Sequence, residues 1–393
     1  MEPLARLIVR NPFTHDARVL RAAGVLRDLG YRPAVLAVMS TAMRERHGSV
    51  DGVPVLRLDP GSPLAWARRR AGRAAATGAA PAAGAHRRPG PLVRLHRYLR
   101  TLDFYRRAIG VVLRERPALV HCNDYNTMWI GVAARLLTGA AVLYDAHELW
   151  PDRNGRPEPR WWLLAWEALF VRLAGAVVTA SPGFAEEMRR RYRIPLPAVV
   201  LNVPDAPPAP RRMEPPRLDT VVYAGAITAH RGIEEAISAL ALLPGVRLQL
   251  LGPGQPPYLG AVRAHAERLG VAERVEVLPT VAPGAVVGAI AGAGAGLALF
   301  QPVCLSHRLV APNKLFEYMA AGLPSLASDL PVIRSYLERF GCGAVARPDD
   351  PSDIARRLAW LLEPEHNRRC RDAAERAARV MSWASERHVL ADA

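Results

Sequence analysis

Lys314 and Glu317 are the residues whose types and spacing most directly suggest chemistry. Lys314 is the only lysine in a chain with 52 lysine and arginine residues. Because arginine fills every other cationic position, a retained lysine indicates a place that needs a compact ammonium, although one lysine could also survive by chance. Glu317 falls on the same face of a helix that Pro312 begins and Gly322 ends. A cation, a carboxylate and the free N–H groups of a helix start suit a ligand with phosphate and hydroxyl groups.

Polar residues that follow predicted strands form a second group of candidates. Asp124 follows the apolar run ALVHC, and His147 follows AVLYDA and precedes Glu148. Ligands bind at the carboxyl ends of parallel strands, so a histidine there has more claim to a site than most histidines, which are structural. The loop NPFTHDAR after the first predicted strand adds Asp16 and Arg18. Their alternative roles are a helix N-cap and a solvated residue of the first helical turn.

Residues 311–324, APNKLFEYMAAGLP, resemble the second half of the signature of family 4 glycosyltransferases. This family has the GT-B fold, in which two Rossmann-like domains face each other. The signature contains two glutamates, and the second, which holds the ribose hydroxyls of the nucleotide, corresponds to Glu317. The first, which contacts the donor sugar, corresponds to Leu309 in this chain. Ser306 and His307 are the nearest polar residues that could replace it.

The resemblance also implies how the donor is held. Family members commonly have Gly-Arg after the first strand of the second domain and a Lys-Gly shortly afterwards, and the two cations clamp the diphosphate. The chain has GAITAHRG there, so Ala226 replaces the arginine and Arg231 the lysine. Arg231 would act together with Lys314, unless it is a solvated surface residue. A histidine beside the donor sugar corresponds to His147, which would orient the sugar or receive the acceptor proton. We expect catalysis to depend on His147, Arg231 and Lys314. The expected donor contacts are Gly225, Arg231, Gly252, Gly254, His307, Asn313, Lys314 and Glu317, and the expected acceptor-side contacts are Asp16, Arg18, Asp124 and His147.

Composition narrows the class of protein. With 393 residues, half of them hydrophobic, the chain is long enough for two globular domains. A formal net charge of +16 predicts attraction to anions, which include nucleotides, acidic lipids and nucleic acid. The cysteines Cys122, Cys304, Cys342 and Cys370 have no metal-ligand or disulfide spacing and read as reduced thiols. With LARLIVR as its first apolar run, the chain shows no signal-peptide pattern, which predicts a cytoplasmic protein and leaves open a peripheral position at the inner face of the membrane.

Alternating strand and helix patterns predict an α/β protein with parallel sheets. We expect an N-terminal Rossmann-like domain over residues 1–203, with an Ala-, Gly-, Pro- and Arg-rich mobile excursion at about 60–91. A proline-rich linker follows at 204–216, and a C-terminal Rossmann-like donor domain spans 217–370. By resemblance, a helix at 371–393 crosses back to the first domain.

Three segments have more than one interpretation. Residues 280–306 are long enough to cross a membrane, but their glycines, alanines and prolines favour a buried helix, GAVVGAIAGA, followed by a strand, GLALF. Residues 92–109 form a basic amphipathic helix that could lie on an anionic membrane, lie beside the acceptor, or pack on its own domain. Trp161, Trp162 and Trp166 are predicted to pack in the core or at the domain interface.

The combined reading is a retaining glycosyltransferase that moves a sugar from a nucleotide diphosphate sugar, UDP rather than GDP, to an acceptor in polysaccharide or specialised-metabolite glycosylation. We expect no cofactor and no metal ion, because cations and helix N-termini neutralise the diphosphate. Leu309 and Ala226 leave a second possibility on the same fold, a sugar-nucleotide epimerase or a transferase to a non-sugar nucleophile. A nucleic-acid-binding protein is disfavoured because few aromatic residues interleave with the arginines. The chain has no G-x-G-x-x-G motif, which disfavours NAD, and no convincing acid pair for glycoside hydrolysis.

Overall fold

The computed structural model describes residues 2–14, 16–40, 45–64, 90–204 and 215–393. Most of the predicted excursion at 60–91 and of the predicted linker at 204–216 lies outside these residues.

The N-terminal half forms a sheet of eight described strands in the order β3-β4-β2-β1-β5-β6-β7-β8. The strands are β1 (Leu4–Ile8), β2 (Arg32–Val38), β3 (His47–Val50), β4 (Val53–Leu58), β5 (Leu119–Asn123), β6 (Ala141–Ala146), β7 (Ala176–Thr179) and β8 (Ala198–Val199). Neighbouring strands are parallel except β3, which is antiparallel to β4. Asp51 and Gly52 both have positive φ and make the tight turn of this edge hairpin.

Helices cover both faces of the first sheet. Helix α1 (Ala17–Asp28) packs on one face through Val19, Ala23 and Leu26. The other face carries α2 (Pro91–Glu115), α3 (Met128–Thr138), α4 (Arg160–Leu173) and α5 (Pro182–Tyr192). This arrangement places the carboxyl ends of β1, β5 and β6 at one edge of the sheet, because all three strands run in the same direction.

The C-terminal half repeats the architecture with an entirely parallel sheet in the order β11-β10-β9-β12-β13-β14. Its strands are β9 (Arg217–Ala224), β10 (Arg247–Leu251), β11 (Val275–Leu278), β12 (Ala293–Ala298), β13 (Ser325–Ser328) and β14 (Gly343–Ala346). Its helices are α6 (Ile233–Leu240), α7 (Pro256–Arg268), α8 (Val286–Ile290), α9 (Leu305–Arg308), α10 (Asn313–Ala320), α11 (Pro331–Phe340), α12 (Pro351–Leu362) and α13 (Pro364–Val380). Two apolar cores lie on either side of this sheet.

The last helix, α14 (Trp383–Asp392), returns to the first domain. Leu390 joins the core between α1 and the N-terminal sheet, and Arg387 pairs with Asp28. Glu386 accepts a hydrogen bond from the backbone N–H of Leu201 at 2.8 Å. Helix α13 runs unbroken to Val380, so the chain changes direction at residues 381–382.

The predicted buried helix at GAVVGAIAGA is mostly wrong. Only Val286–Ile290 is α-helical, and Gly288 and Ala289 on it are exposed. The strand that follows begins earlier than expected, at Ala293, and is buried along its whole length. Glycine and alanine supply too little apolar surface to hold a longer buried helix here. Among the described residues, no helix is both long and apolar enough to cross a membrane.

The predicted packing of the tryptophan group is wrong for two of its three members. Trp161 is 68% exposed and Trp162 is 43% exposed, whereas Trp166 packs beside Trp129 with ring centroids 4.4 Å apart. Helix α4 meets the core through a different side, formed by Leu163 and Phe170. The helix therefore turns Trp161 and Trp162 away from the domain.

Candidate functional site

Two neighbouring cavities, of about 400 Å³ and 750 Å³, lie between the domains. The smaller lies at the carboxyl ends of the strands, and the larger extends along α1. Arg18, His147 and Glu148 line the smaller cavity from the first domain. The second-domain residues that line it include Gly225, Arg231, Phe300, Asn313, Lys314 and Glu317. Asn202 and Glu317 line both cavities, so these two residues mark where they meet.

His147 lies between two carboxylates at the ends of neighbouring strands. Its Nδ1 is 3.6 Å from an Asp124 carboxylate oxygen, and its Nε2 is 3.4 Å from Asp145 without the alignment of a hydrogen bond. The backbone N–H of His147 also donates to Asp124 at 3.2 Å. Asp124 has φ 67° and ψ 160°, a strained conformation for a residue other than glycine. The backbone thus holds strain at the residue that positions His147.

The two carboxylates decide the protonation of His147. Burial favours the neutral ring, but the charges of Asp124 and Asp145 outweigh it and raise the pKa of His147 to about 9. His147 is therefore an imidazolium at neutral pH, able to donate hydrogen bonds and unable to accept a proton.

Arg18 is a buried ion-pair partner and is not solvated. Its guanidinium donates twice to Asp145, at 2.8 and 2.6 Å, and once to the backbone carbonyl of Val200 at 2.6 Å. Burial alone would raise the pKa of Asp145, but Arg18 and His147 hold that pKa well below its usual range. Arg18 thus keeps Asp145 ionised beneath His147 and also presents one side to the smaller cavity.

Lys314 is the most unusual group of the site. It is only 7% exposed, and among the described residues no group hydrogen-bonds its Nζ. The Nζ atom lies 3.4 Å from the centroid of the Tyr223 ring and 5.4 Å from that of Phe300. Burial, followed by the nearby charge of Arg231, lowers the pKa of Lys314 well below its usual range, and Glu317 only partly opposes this. An amine held in this way would gain strongly from an anionic ligand.

Arg231 and Glu317 complete the second-domain side. The Arg231 guanidinium lies 4.5 Å from the Phe300 ring centroid, and Arg231 is a half-buried residue that lines the smaller cavity. Burial raises the pKa of Glu317, against the opposing charges of Lys314 and Arg21. Glu317 therefore places its carboxyl group where the two cavities meet, with Lys314 and Arg21 nearby.

The glycines of the site serve different purposes. Gly225 has φ 129°, and a Cβ there would lie 3.5 Å from Lys314 Nζ, so its absence leaves the amine open to the cavity. A Cβ on Gly252 would lie 2.1 Å from the carbonyl oxygen of Gly225. Gly254 packs against Ile227 and Leu259. The structure therefore places Gly252 and Gly254 behind the Gly225 loop, among residues that do not line either cavity.

The other predicted residues are spread around the cleft. Asn313 and Asp16 line the smaller cavity, and Asp16 also caps α1 by accepting the Val19 N–H at 3.3 Å. Asp124 reaches the cavity only through His147. His307 lies against Phe300, with its Nδ1 2.9 Å from the carbonyl oxygen of Gln301, and it does not line the cavity.

Leu309, at the first signature position, lies at the contact between the domains. Its carbonyl oxygen accepts a hydrogen bond from Ser181 Oγ at 2.5 Å, and its side chain packs against the first-domain core. The smaller cavity therefore receives no side chain from this position.

Several residues of the cleft are absent from the sequence-based site. Tyr223 and Phe300 are strand-end aromatics, which a sequence reading assigns to the core. Asn202 follows the short strand β8 and accepts a hydrogen bond from Arg21 at 2.7 Å. A polar residue directly after a strand was the sequence signal that could have identified it. Glu148 pairs with Arg153, and burial raises its pKa. Among the described residues, no three His, Cys, Asp or Glu side chains form a cluster that could hold a metal ion.

Comparison with known proteins agrees with this geometry. Residues 17–203 match the family model described as Glycosyltransferase Family 4, and residues 211–379 match the model described as Glycosyl transferases group 1. A search of curated proteins found no significant match.

Solved structures share the fold over nearly the whole chain. Sucrose-phosphate synthase from Thermosynechococcus elongatus superposes with a TM-score of 0.76 at 16% identity, covering 98% of this chain and 96% of that one. Anabaena HepE, in complex with UDP and glucose, superposes with a TM-score of 0.70 at 14% identity, covering 99% of this chain and 98% of HepE. A glycosyltransferase from Rickettsia africae gives 0.68 at 12% identity, covering 98% and 96%.

The two family models together span both domains, and the matched structures share the fold over nearly the whole chain. The sequence-based expectations of family and fold are confirmed. This chain is a glycosyltransferase of the family 4 type with the GT-B fold.

Proposed function

We propose that the chain transfers a glycosyl group from a UDP-sugar to an acceptor hydroxyl with retention of the anomeric configuration and without a metal ion. The observation that carries this proposal is the buried amine of Lys314, which has no hydrogen-bond partner among the described residues. Arg231 and the His147 imidazolium line the same cavity. Three cationic groups around one cavity suit a diphosphate, whose negative charge grows as it leaves the sugar.

The assignment of cavities follows from Glu317. A ribose lies between the base and the diphosphate of a nucleotide, and Glu317 lies between the two cavities. The ribose hydroxyls would donate to Glu317, the diphosphate and sugar would occupy the smaller cavity, and the base would occupy the larger one. UDP is preferred over GDP because HepE, which shares the fold, was solved with UDP and with UDP-glucose.

Retention agrees with the protonation of His147, which removes this histidine as a general base. Inversion requires a general base that removes the acceptor proton, and an imidazolium cannot act as one. In the retaining reaction, the bond between the anomeric carbon and the diphosphate oxygen breaks and the acceptor oxygen bonds to that carbon from the same face. The leaving diphosphate takes the acceptor proton. Arg231 and Lys314 would stabilise its charge, while His147 would donate a hydrogen bond to the sugar.

Leu309 supports one alternative, a sugar-nucleotide epimerase or a transferase to a non-sugar nucleophile. The first signature carboxylate is absent, and the position is used for domain contact. Product analysis separates these activities. A transferase releases a nucleoside diphosphate and forms a glycosylated acceptor, whereas an epimerase converts its substrate without an acceptor and releases no nucleoside diphosphate.

Calorimetric titration with UDP, GDP and their common sugar conjugates tests the proposal. We expect selective binding of UDP that survives a chelator and is lost in Lys314→Met. Arg339→Met is the matched control, because Arg339 also lies against an aromatic ring, Phe340, but on α11 away from the cleft. Equal affinity of wild type and Lys314→Met for UDP, or selective binding of GDP, would contradict the assignment.

A further inference from the structure

The first half of α2 exposes large apolar side chains to solvent. Leu95 is 47% exposed and Leu102 is 60% exposed, and Leu92 and Tyr98 are exposed to a similar extent. The side of α2 that packs on the sheet is formed instead by Phe104, Ala108 and Val111. The alternative in which the apolar face at 92–109 packs on its own domain is therefore wrong for these leucines.

The start of α4 exposes a second apolar group. Trp161 and Trp162 stand edge to face with ring centroids 5.9 Å apart, and Trp162 continues to Trp166 at 5.5 Å. The half-buried Trp166 and Trp129 pack against the domain core and join this row of rings to it, so Trp161 and Trp162 project outward from the core.

Both groups lie at the end of the domain that faces the cleft. Arg10, which follows β1, donates to Thr101 of α2 at 2.9 Å and lies over the Tyr105 ring at 5.9 Å. Helix α4 begins soon after β6, and Arg160 pairs with Asp152 at 2.7 Å. Tyr105 is close enough to Glu158, just before α4, for the two to interact electrostatically. The middle of α2, next to Leu102, and the start of α4 are thus neighbours on one side of the molecule.

The charged residues of α2 beside the exposed leucines are almost all positive. Residues 91–109 contain the cations Arg94, Arg97, Arg100, Arg106 and Arg107. Their one carboxylate, Asp103, pairs with Arg106 at 2.8 Å and with Arg107 at 2.7 Å. On α4, Glu167 is fully buried and bonded to Tyr144 and Tyr192. We refer to the outward side chains of residues 92–102, together with Trp161 and Trp162, as the basic apolar face.

We propose that the basic apolar face docks on an anionic lipid bilayer. Leucine and tryptophan side chains surrounded by arginines match the boundary between acyl chains and acidic headgroups. A second copy of the chain would bring two sets of arginines together, so charge complementarity favours the bilayer over self-association. Docking in this orientation puts the cleft edge beside the membrane, where a lipid-borne acceptor could enter. The proposal concerns binding alone and does not depend on the donor assignment.

Vesicle sedimentation with the full chain tests the proposal in the absence of any nucleotide. We expect the wild type to bind phosphatidylcholine vesicles that contain phosphatidylglycerol and to stay in solution with phosphatidylcholine alone. Leu95→Ser/Leu102→Ser and Trp161→Ser/Trp162→Ser should each weaken partitioning by about tenfold or more, because each removes apolar area from the boundary. Brominated lipids should quench the tryptophan fluorescence of the wild type much more than that of the tryptophan double variant.

Leu136→Ser/Leu137→Ser is the matched control. These two leucines are at least as exposed but lie at the far end of α3, and their replacement should leave partitioning unchanged. Circular dichroism and thermal unfolding of each variant establish that it is folded.

Three outcomes would overturn the proposal: no binding of the wild type to acidic vesicles, equal loss in the control and the test variants, or salt-sensitive binding that no apolar replacement changes. The last would mean general attraction of a chain with charge +16. A wild-type dimer that Leu95→Ser/Leu102→Ser dissociates would instead identify the face as a contact between copies.

Discussion

Lys314 shows why one lysine has a role that the many arginines cannot fill. Its ammonium fits between the Tyr223 ring and the Gly225 backbone. A guanidinium is broader and planar, and it would need partners for several N–H groups in the same space. Lys314 therefore favours binding of an anion but lowers the stability of the fold, because its amine is buried without a full counter-charge.

We expect Lys314→Met to lower UDP affinity by about 100-fold or more and to leave the melting temperature equal or higher. The methionine fills similar volume and removes the buried charge. Titration calorimetry and thermal unfolding of the same preparation provide the two readouts. Lys314→Arg should lower turnover despite keeping the charge, and wild-type rates in that variant would mean that the ammonium has no special role.

His147 predicts an alkaline limit to activity. Its pKa is raised to about 9, so the protonated form is complete at neutral pH and is lost as the pH passes that value. The same shift stabilises the fold below the unfolded pKa of about 6.5, and this contribution disappears as the pH rises through about 9. We expect kcat/KM to fall near pH 9 in the wild type.

Asp124→Asn should move that alkaline limit to lower pH. Burial lowers the pKa of His147, and the charge of Asp124 is the largest of the effects that raise it. The pH–rate profile measures the shift. Asp329→Asn is a suitable control, since Asp329 pairs with Arg334 at the surface of the other domain. Identical profiles for wild type and Asp124→Asn would show that His147 does not act as a cation.

Among the elements, the turn after β9 depends on the turn after β10. Gly252 has φ 143°, and its Cα comes so close to the Gly225 carbonyl that no side chain fits between them. This contact holds the Gly225 loop in the conformation that opens the cavity to Lys314. The two glycines thus contribute to the site as a pair, although only Gly225 lines it.

We expect Gly252→Ala to destabilise the protein by about 2 kcal/mol or more, through the clash with Gly225 and the positive φ together. Gly245→Ala is the control, because Gly245 has a positive φ of 83° and nothing within 4 Å of an added Cβ. Urea unfolding compares the two variants. Equal destabilisation would mean that backbone conformation alone, and not the contact with Gly225, sets the cost.

For the whole molecule, Leu309 shows how one signature position has changed its role. A Cβ on Gly183 would lie 2.9 Å from both the Cβ and the carbonyl oxygen of Leu309, so the domains touch closely at the start of α5. The Ser181 hydrogen bond joins the same two segments. Since the site takes residues from both domains, this contact sets the distance between His147 and the cations of the second domain.

Gly183→Ala should therefore separate the domains at this point. We expect a larger radius of gyration by small-angle X-ray scattering and a lower kcat. UDP affinity should change less, because Arg231, Lys314 and Glu317 all belong to the second domain. Gly260→Ala on α7 has nothing within 4 Å of an added Cβ and provides the control. A scattering profile and a kcat equal to those of wild type would show that the contact adjusts without effect.

The fold and the place of the candidate site could be predicted from local patterns, and the family from the resemblance of residues 311–324 to its signature. Alternating strands and helices imply parallel sheets, whose carboxyl ends collect His147, Arg18 and Asp124 at one edge. Lys314 and Glu317 were evident from residue type and spacing. These features depend on neighbours in the sequence, and so the sequence by itself determined them.

The tertiary structure decided everything that depends on contacts between distant segments. Asp145 and Arg18 are far apart in the chain, yet their pairing keeps Asp145 ionised, and that negative charge helps to raise the pKa of His147. Whether Trp161 and Leu102 are exposed depends on which side of each helix packs on the sheet. The spacing of apolar residues along a helix does not show whether that apolar side faces a protein core or a membrane. The role of Leu309 required the second domain to be in place. Burial and electrostatic fields arise only when the whole chain is packed, and for this protein they turn recognisable residues into a cationic cleft.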